Sequence, residues 1–89
     1  MNTEQLAAEH DSLELLTNDS TFVHFAETVR VTCALEYATR CGCIDPDYLA
    51  ARAAHDCLYG ATLTPRLQGL VRRACVSQMR RLFAQAVAA

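Results

Sequence analysis

Two short cysteine-containing segments hold the residue types in this sequence best suited to binding a metal. Residues 41–43 (Cys-Gly-Cys) and 55–57 (His-Asp-Cys) together offer three thiols and an imidazole, which are soft ligands for zinc. Zinc sites usually separate paired cysteines by two to four residues, and the first pair is spaced more tightly. On a predicted helix, His55 and Cys57 point about 200° apart and cannot face one ion. The sequence therefore predicts no metal site.

Nucleophilic catalysis needs a thiol or hydroxyl, a base within reach and an oxyanion hole. The three histidines, His10, His24 and His55, are not accompanied by a glycine-rich loop, an elbow turn or Ser/His/Asp spacing. The three glycines are far apart and make no phosphate-binding loop. We expect no catalytic residue, no cofactor and no enzymatic activity.

The five cysteines are more consistent with a reducing compartment than with a disulfide framework. Small secreted scaffolds usually hold an even number of cysteines, and five leaves one over. Cys33, Cys57 and Cys75 fall on apolar helix faces, where cysteine acts as a small hydrophobic residue. Cys41 and Cys43 lie near a predicted turn and are the thiols expected to be exposed. An inter-chain disulfide through one of them is the alternative.

Composition predicts one small domain with apolar surface left over. The chain has 89 residues, of which 52% are hydrophobic, although many of these are alanine. No run of 18 apolar residues predicts a membrane span, and the polar, acidic N-terminus does not resemble a signal peptide. We expect a cytoplasmic protein that keeps an apolar strip for a second molecule, and therefore a homodimer or a partner complex.

Charge is divided unevenly along the chain. Residues 1–47 hold nine acidic residues and two arginines, a net charge of −7, whereas residues 48–89 hold one acidic residue and six arginines, a net charge of +5. The two halves either attract each other, within the fold or in an antiparallel dimer, or leave a basic docking face on the last helix.

The hydrophobic pattern predicts an all-α fold, a small four-helix bundle-like domain with short loops and a long C-terminal helix. The predicted helices span residues 3–16, 20–41, 46–59 and 65–87 of a single domain, 1–89. The first is only weakly apolar, and we expect it to be loosely attached. Oxygen-bearing caps are expected before the other three, at Asp19 or Ser20, at Asp45 and at Thr64. Left-handed glycines are expected to end the second and third helices, at Gly42 and Gly60.

The last helix carries the predicted partner-binding residues. Its apolar residues form a nearly heptad stripe, and its C-terminal half is expected to project beyond the bundle. Gly69 marks either a predicted close crossing by another helix of the bundle or a contact point for a partner helix. Apolar anchors with arginine beside them are the usual energetic centre of an interface. The predicted binding set is therefore Met79, Leu82 and Phe83 as anchors, with Arg73, Arg80 and Arg81 as a polar rim.

These features favour a protein–protein interaction regulator, such as an antiactivator, inhibitor or small chaperone, which occupies a partner's surface. The alternative is a helix-turn-helix-like DNA-binding regulator using the helix that starts at Pro65, with Arg66, Gln68, Arg72 and Arg73 in the major groove. A sequence pI of about 5.8 argues against nucleic acid.

Residues 34–58 combine a long helix, a Cys-Gly-Cys turn, an acidic-proline start and an alanine-rich helix led by Tyr48. This stretch resembles the helical-hairpin co-chaperones of bacterial type III secretion systems. The similarity covers about a quarter of the chain, and the arginine-rich helix from Pro65 onward departs from that two-helix pattern. It implies a helical hairpin and a chaperone-like role, and it assigns no functional residue.

Overall fold

A computed structural model describes residues 13, 16–17, 22–40 and 42–88, without the side chains of residues 87 and 88. Three helices are present in these residues, α1 (Val23–Thr39), α2 (Pro46–Leu58) and α3 (Pro65–Ala88), and no strand. The predicted all-α class is confirmed. The predicted first helix, residues 3–16, lies mostly outside the described residues. Near its end the Thr17 hydroxyl donates to the Leu13 carbonyl at 2.9 Å, four residues back.

Both C-terminal helices begin where their sequence signals place them. The Asp45 carboxylate accepts hydrogen bonds from the backbone N–H groups of Asp47 and Tyr48, at 3.0 and 3.3 Å, before a proline in the first helical turn. The Thr64 hydroxyl accepts from the Leu67 N–H at 3.4 Å. Each cap satisfies N–H groups that lack a partner within the helix. The predicted starts of α2 and α3 are thus confirmed.

The start of α1 differs from its prediction. The helix begins at Val23, about three residues later than expected, and its N-cap is Phe22, which makes no side-chain cap. The Phe22 carbonyl instead accepts from the N–H groups of Phe25 and Ala26, at 2.9 and 3.3 Å. The capping residues predicted from sequence, Asp19 and Ser20, lie outside the described residues.

The two helix ends show when a glycine stop is needed. Gly60, two residues after α2, has a φ of +74°, as predicted. Gly42 has no positive φ, so the predicted left-handed stop after α1 was wrong. That helix ends at Thr39, and the Cys43 N–H then donates to the Arg40 carbonyl at 2.9 Å. This hydrogen bond closes a tight turn directly after the helix.

The core draws on all three helices and on the segment before them. Its largest fully buried side chains include Leu16, Val29, Leu49, Val71 and Met79. The exposed fraction of Leu16 is 0%, so the end of the first segment packs into the core, contrary to the expectation of loose attachment there. Leu13 is 6% exposed, and burial of these two large apolar side chains favours docking.

Alanines let α2 and α3 approach closely. Ala50, Ala53 and Ala54 of α2 and Ala74 of α3 are buried in the core.

In the described part of the chain, no helix has the length and apolar content required to cross a bilayer.

Two ion pairs join the acidic first half of the sequence to the arginine-rich second half. Arg80 of α3 lies 3.3 Å from Asp47, and Arg52 of α2 lies 3.8 Å from Glu36 of α1. Attraction between the halves within the fold is therefore observed. Ion pairs at the protein surface contribute about 0–1 kcal/mol each, so these two add little to the free energy of unfolding.

Gly69 provides a test of helix packing. A Cβ added there would meet only the Arg73 guanidinium, at an ordinary 3.7 Å, so the predicted helix crossing at this position was wrong among the described residues. We expect Gly69→Ala to raise the free energy of unfolding by about 0.5–1 kcal/mol, because alanine favours the helix. Gly60→Ala should lower it, because φ is +74° there. Urea denaturation measures both, and destabilisation by Gly69→Ala would contradict this packing.

Candidate functional site

A shallow groove runs between α2 and α3. Its volume is about 530 Å³. Three alanines of α2, Ala50, Ala51 and Ala54, line it, and the remaining lining residues are Asp47, His55, Leu58, Tyr59, Arg72 and Val76. The groove has a low floor because the alanine side chains are shorter than the neighbouring Leu58, Tyr59 and Arg72. Most of its lining is apolar, as in sites that receive a partner's side chains.

Aromatic and imidazole rings stand at one end of the groove. Tyr59 is 83% exposed, and tyrosine is a residue type enriched in binding interfaces. The His55 ring lies 6.1 Å from the Tyr59 ring, between centroids. A second, smaller depression continues past His55 along α2 and is lined by Tyr48, Ala51 and Arg52 as well. The two depressions share Ala51 and His55, so the accessible face of α2 is continuous.

The α3 side of the groove is positively charged. Arg72 lines the groove, and Arg80 forms an ion pair with Asp47, another lining residue. Among the described residues, no carboxylate lies within ion-pair distance of four exposed arginines of α3, which are Arg66, Arg72, Arg73 and Arg81. The groove therefore joins an apolar floor to one arginine without a carboxylate partner, Arg72.

The structure divides the predicted apolar anchors of α3 between core and surface. Met79 is 0% exposed, so its side chain packs in the core of this domain, and its role as a partner anchor stays a prediction. Leu82 and Phe83 are half-buried and pack against the core, with the Phe83 ring edge-on to Tyr37 at 5.2 Å. A heptad stripe looks the same in sequence whether it faces its own bundle or a second molecule.

The C-terminal half of α3 projects less than expected, because Leu82 and Phe83 remain in contact with the body of the domain. Residues 84–86 are exposed beyond them. The predicted arginines Arg73, Arg80 and Arg81 are all exposed. Arg73 lies across Gly69, and only Arg80 borders the groove, through its pair with Asp47.

Sequence reasoning missed the α2 side of this site. The predicted partner-binding set contained none of five lining residues, which are Ala51, Ala54, His55, Tyr59 and Arg72. The available signal was the alanine content of α2, which is typical of close approach to another helix. Alanines at a packed interface and alanines that floor an open groove have the same spacing, so the pattern could not separate the two.

The candidate zinc ligands are not gathered into one site in the described residues, where no group of three or more His, Cys, Asp and Glu side chains is arranged to hold a metal ion. His55 is exposed and Cys57 is buried, so they face opposite ways, as their spacing predicts. Cys43 is half-buried with its thiol 3.7 Å from the Asp45 carbonyl, and Cys41 lies outside the described residues.

The geometry around residues 59–64 bears on the helix-turn-helix alternative. The connection between α2 and α3 occupies these six residues, whereas the turn of that motif usually has three or four. Gln68, one of the four side chains assigned to the major groove, donates its amide to the Leu63 carbonyl at 2.9 Å. It is therefore engaged within the protein.

Comparisons with models of protein families, with curated proteins and with solved structures found no match. The resemblance of residues 34–58 to type III secretion co-chaperones thus gains no support from them.

Proposed function

We propose that this protein is a protein-binding module whose α2–α3 groove receives an amphipathic helix with acidic side chains from a partner. The observation that carries the proposal is the alanine-floored groove lined by Arg72, an arginine that has no carboxylate partner among the described residues. Helix-in-groove recognition places an apolar ridge in the groove and polar side chains along its edges. The alanine floor complements the apolar ridge of such a helix, and Arg72 complements an acidic side chain beside the ridge.

The shape of the groove fits a single helix. The α2 helix has 13 residues and a length of about 20 Å, so a partner helix lying along it would make contact over roughly three to four turns. Alanine side chains in the floor allow a close approach, and Leu58 and Val76 provide apolar sides. The partner's ridge should therefore consist of small and medium apolar residues at positions i, i+3, i+4 and i+7.

The charge of the rim supports an acidic partner. The Arg72 guanidinium lines the groove, where a bound helix would exclude water from one side of it. A partner's carboxylate placed there accepts two charge-assisted hydrogen bonds from the guanidinium. A partner's lysine at the same place would be repelled by the like charge of Arg72. The exposed Arg66, Arg73 and Arg81 add long-range attraction that increases the rate of association.

Occupying a partner's amphipathic helix would block whatever that helix otherwise binds. An antiactivator, an inhibitor and a small chaperone all work in this way, and we propose this regulatory class for the protein. Four of its cysteines are free thiols, which supports a reducing compartment such as the cytoplasm. Self-association remains a separate prediction, supported by the exposed Val31 and Leu35 of α1.

Binding of designed peptides tests the proposal. The probe is a fluorescent amphipathic peptide of about 18 residues with an Ala/Leu ridge flanked by Glu, compared with the same peptide flanked by Lys. We expect the Glu peptide to bind at least tenfold more tightly in fluorescence anisotropy, a difference of about 1.4 kcal/mol. Equal affinities would contradict the proposed charge recognition.

A matched pair of variants tests the location of the site. Ala51→Glu puts a larger, negative side chain in the groove, and we expect it to weaken binding of the Glu peptide at least tenfold. Ala34→Glu makes the same change at an exposed alanine of α1 and should leave affinity within about twofold. Circular dichroism verifies that both variants fold. Equal weakening by both, or tight binding of duplex DNA with a steep salt dependence, would overturn the proposal.

A further inference from the structure

The first twelve residues of the chain have the composition that the α2–α3 groove is proposed to select. Residues 4–9 read Glu-Gln-Leu-Ala-Ala-Glu, so a leucine and two alanines lie between two glutamates, and Asp11 adds a third carboxylate. No lysine or arginine occurs in residues 1–12. Small apolar side chains flanked by acidic ones are the features inferred above for the partner helix. The chain therefore carries a segment of the same chemical type as its proposed ligand.

The α3 side of the groove offers the opposite charge. Arg72 lines the groove, and within the described part of the chain no carboxylate lies at ion-pair distance from it. Arg66 and Arg73, on the same helix, are exposed and equally lack an acidic neighbour there. The three carboxylates of residues 1–12 thus complement three arginines of α3.

The place where residues 1–12 join the core puts the groove within their reach. Leu13 and Leu16 are 6% and 0% exposed, so the chain is held in the core directly after residue 12. Twelve residues span up to about 40 Å when fully extended. The longest dimension of the domain is 33 Å. Because a tethered ligand has an effective concentration on the order of millimolar, even a weak contact with the groove is populated.

We propose that residues 1–12 occupy the α2–α3 groove of their own chain when no partner is bound, and that a partner helix must displace them. This inference rests on the proposed function, because it assigns an internal competitor to the same groove. The apparent affinity for a partner falls in proportion to the fraction of molecules whose groove is free. The segment therefore raises the affinity that a partner helix needs and covers the alanine floor in its absence.

Neutralising two of the acidic residues tests the competition. In the full-length chain, Glu4→Gln combined with Glu9→Gln removes both glutamates that flank the apolar residues. We expect the Glu-flanked amphipathic peptide to bind this variant at least about fivefold more tightly than the unsubstituted protein, because the groove is free in more of the molecules. Fluorescence anisotropy at physiological salt measures the difference.

Glu27→Lys is the matched control, because it also raises the net charge by two. Glu27 is exposed on α1, a helix that does not line the groove. Since distant surface charges are screened at physiological salt, this variant should bind the peptide within about twofold of the unsubstituted protein. Circular dichroism verifies that both variants fold. Equal tightening by the two variants, or no tightening by the first, would overturn the internal competition.

Amide NMR spectra without any peptide give a second readout. We expect the double variant Glu4→Gln, Glu9→Gln to differ from the unsubstituted protein at groove-lining residues, including Ala51, Tyr59 and Val76, and equally at low and high protein concentration. Differences confined to the neighbourhood of the substitutions would overturn the proposal. Differences in the groove that disappear on dilution would also overturn it, because they would assign the occupant to a second copy of the chain.

These measurements separate this inference from the proposed function. If the Glu-flanked peptide binds the unsubstituted protein in the groove and neither readout responds to the double substitution, the internal competitor is wrong and the proposed function stands. If the peptide binds neither protein, the proposed function is wrong, and the peptide-free spectra alone decide whether residues 1–12 contact the groove.

Discussion

Replacing Met79 with alanine should lower the free energy of unfolding by about 2–5 kcal/mol, the range for truncating a fully buried large side chain. The Met79 side chain is 0% exposed and lies within the core cluster. The loss has two parts, the apolar area returned to water and the cavity left between packed helices. Because domains of this size are stabilised by only about 5–15 kcal/mol, the variant should unfold at a much lower urea concentration.

Leu35→Ala is the control for Met79→Ala. Leu35 is 60% exposed on α1, so its truncation should change stability by less than about 1 kcal/mol. The same pair separates a core role for Met79 from the partner-anchor role that its heptad position predicts. If Met79→Ala left the urea midpoint unchanged, its placement in the core would be wrong and the anchor role would return.

Truncating Leu16 should destabilise the protein by a similar amount, about 2–5 kcal/mol. Leu16 is 0% exposed, and Leu13, one helical turn before it, is 6% exposed. These two side chains attach the N-terminal segment to the core formed by α1, α2 and α3. Thermal unfolding of Leu16→Ala should therefore show a lower midpoint for the whole domain, because the lost contacts belong to the shared core.

Val23→Ala is the matched control for Leu16→Ala. Val23 opens α1 and is 49% exposed, so its truncation should lower the midpoint far less. Equal effects of the two substitutions would indicate that Leu16 is not buried. A normal midpoint for Leu16→Ala would restore the sequence-based expectation of a loosely attached first segment.

Local signals in the sequence predicted the helix boundaries best. The caps at Asp45 and Thr64 and the left-handed Gly60 depend only on side chains and backbone a few residues apart, and each was predicted. The predicted left-handed stop at Gly42 was wrong, because α1 is followed by a turn that the hydrogen bond between residues 40 and 43 stabilises. A glycine shows that a left-handed turn is permitted, not that one is required.

The site was harder to predict, because it depends on how helices rotate relative to one another. The stripe containing Met79 was assigned to an interface, and it faces the core instead. Ala51 and Arg72 come together only because α2 and α3 pack side by side, which no local pattern reports. Cys33, Cys57 and Cys75 were predicted as small buried residues, and all three are buried in the core.

Mapping the bound peptide by NMR tests the groove most directly. Backbone amide signals of the isotope-labelled protein are followed while the unlabelled Glu-flanked amphipathic peptide is added. We predict that the largest shifts cluster in the groove lining, at Ala51, Ala54, His55, Tyr59 and Val76. Shifts centred instead on Val31 and Leu35 of α1, or no shifts at saturating peptide, would contradict a protein-binding groove between α2 and α3.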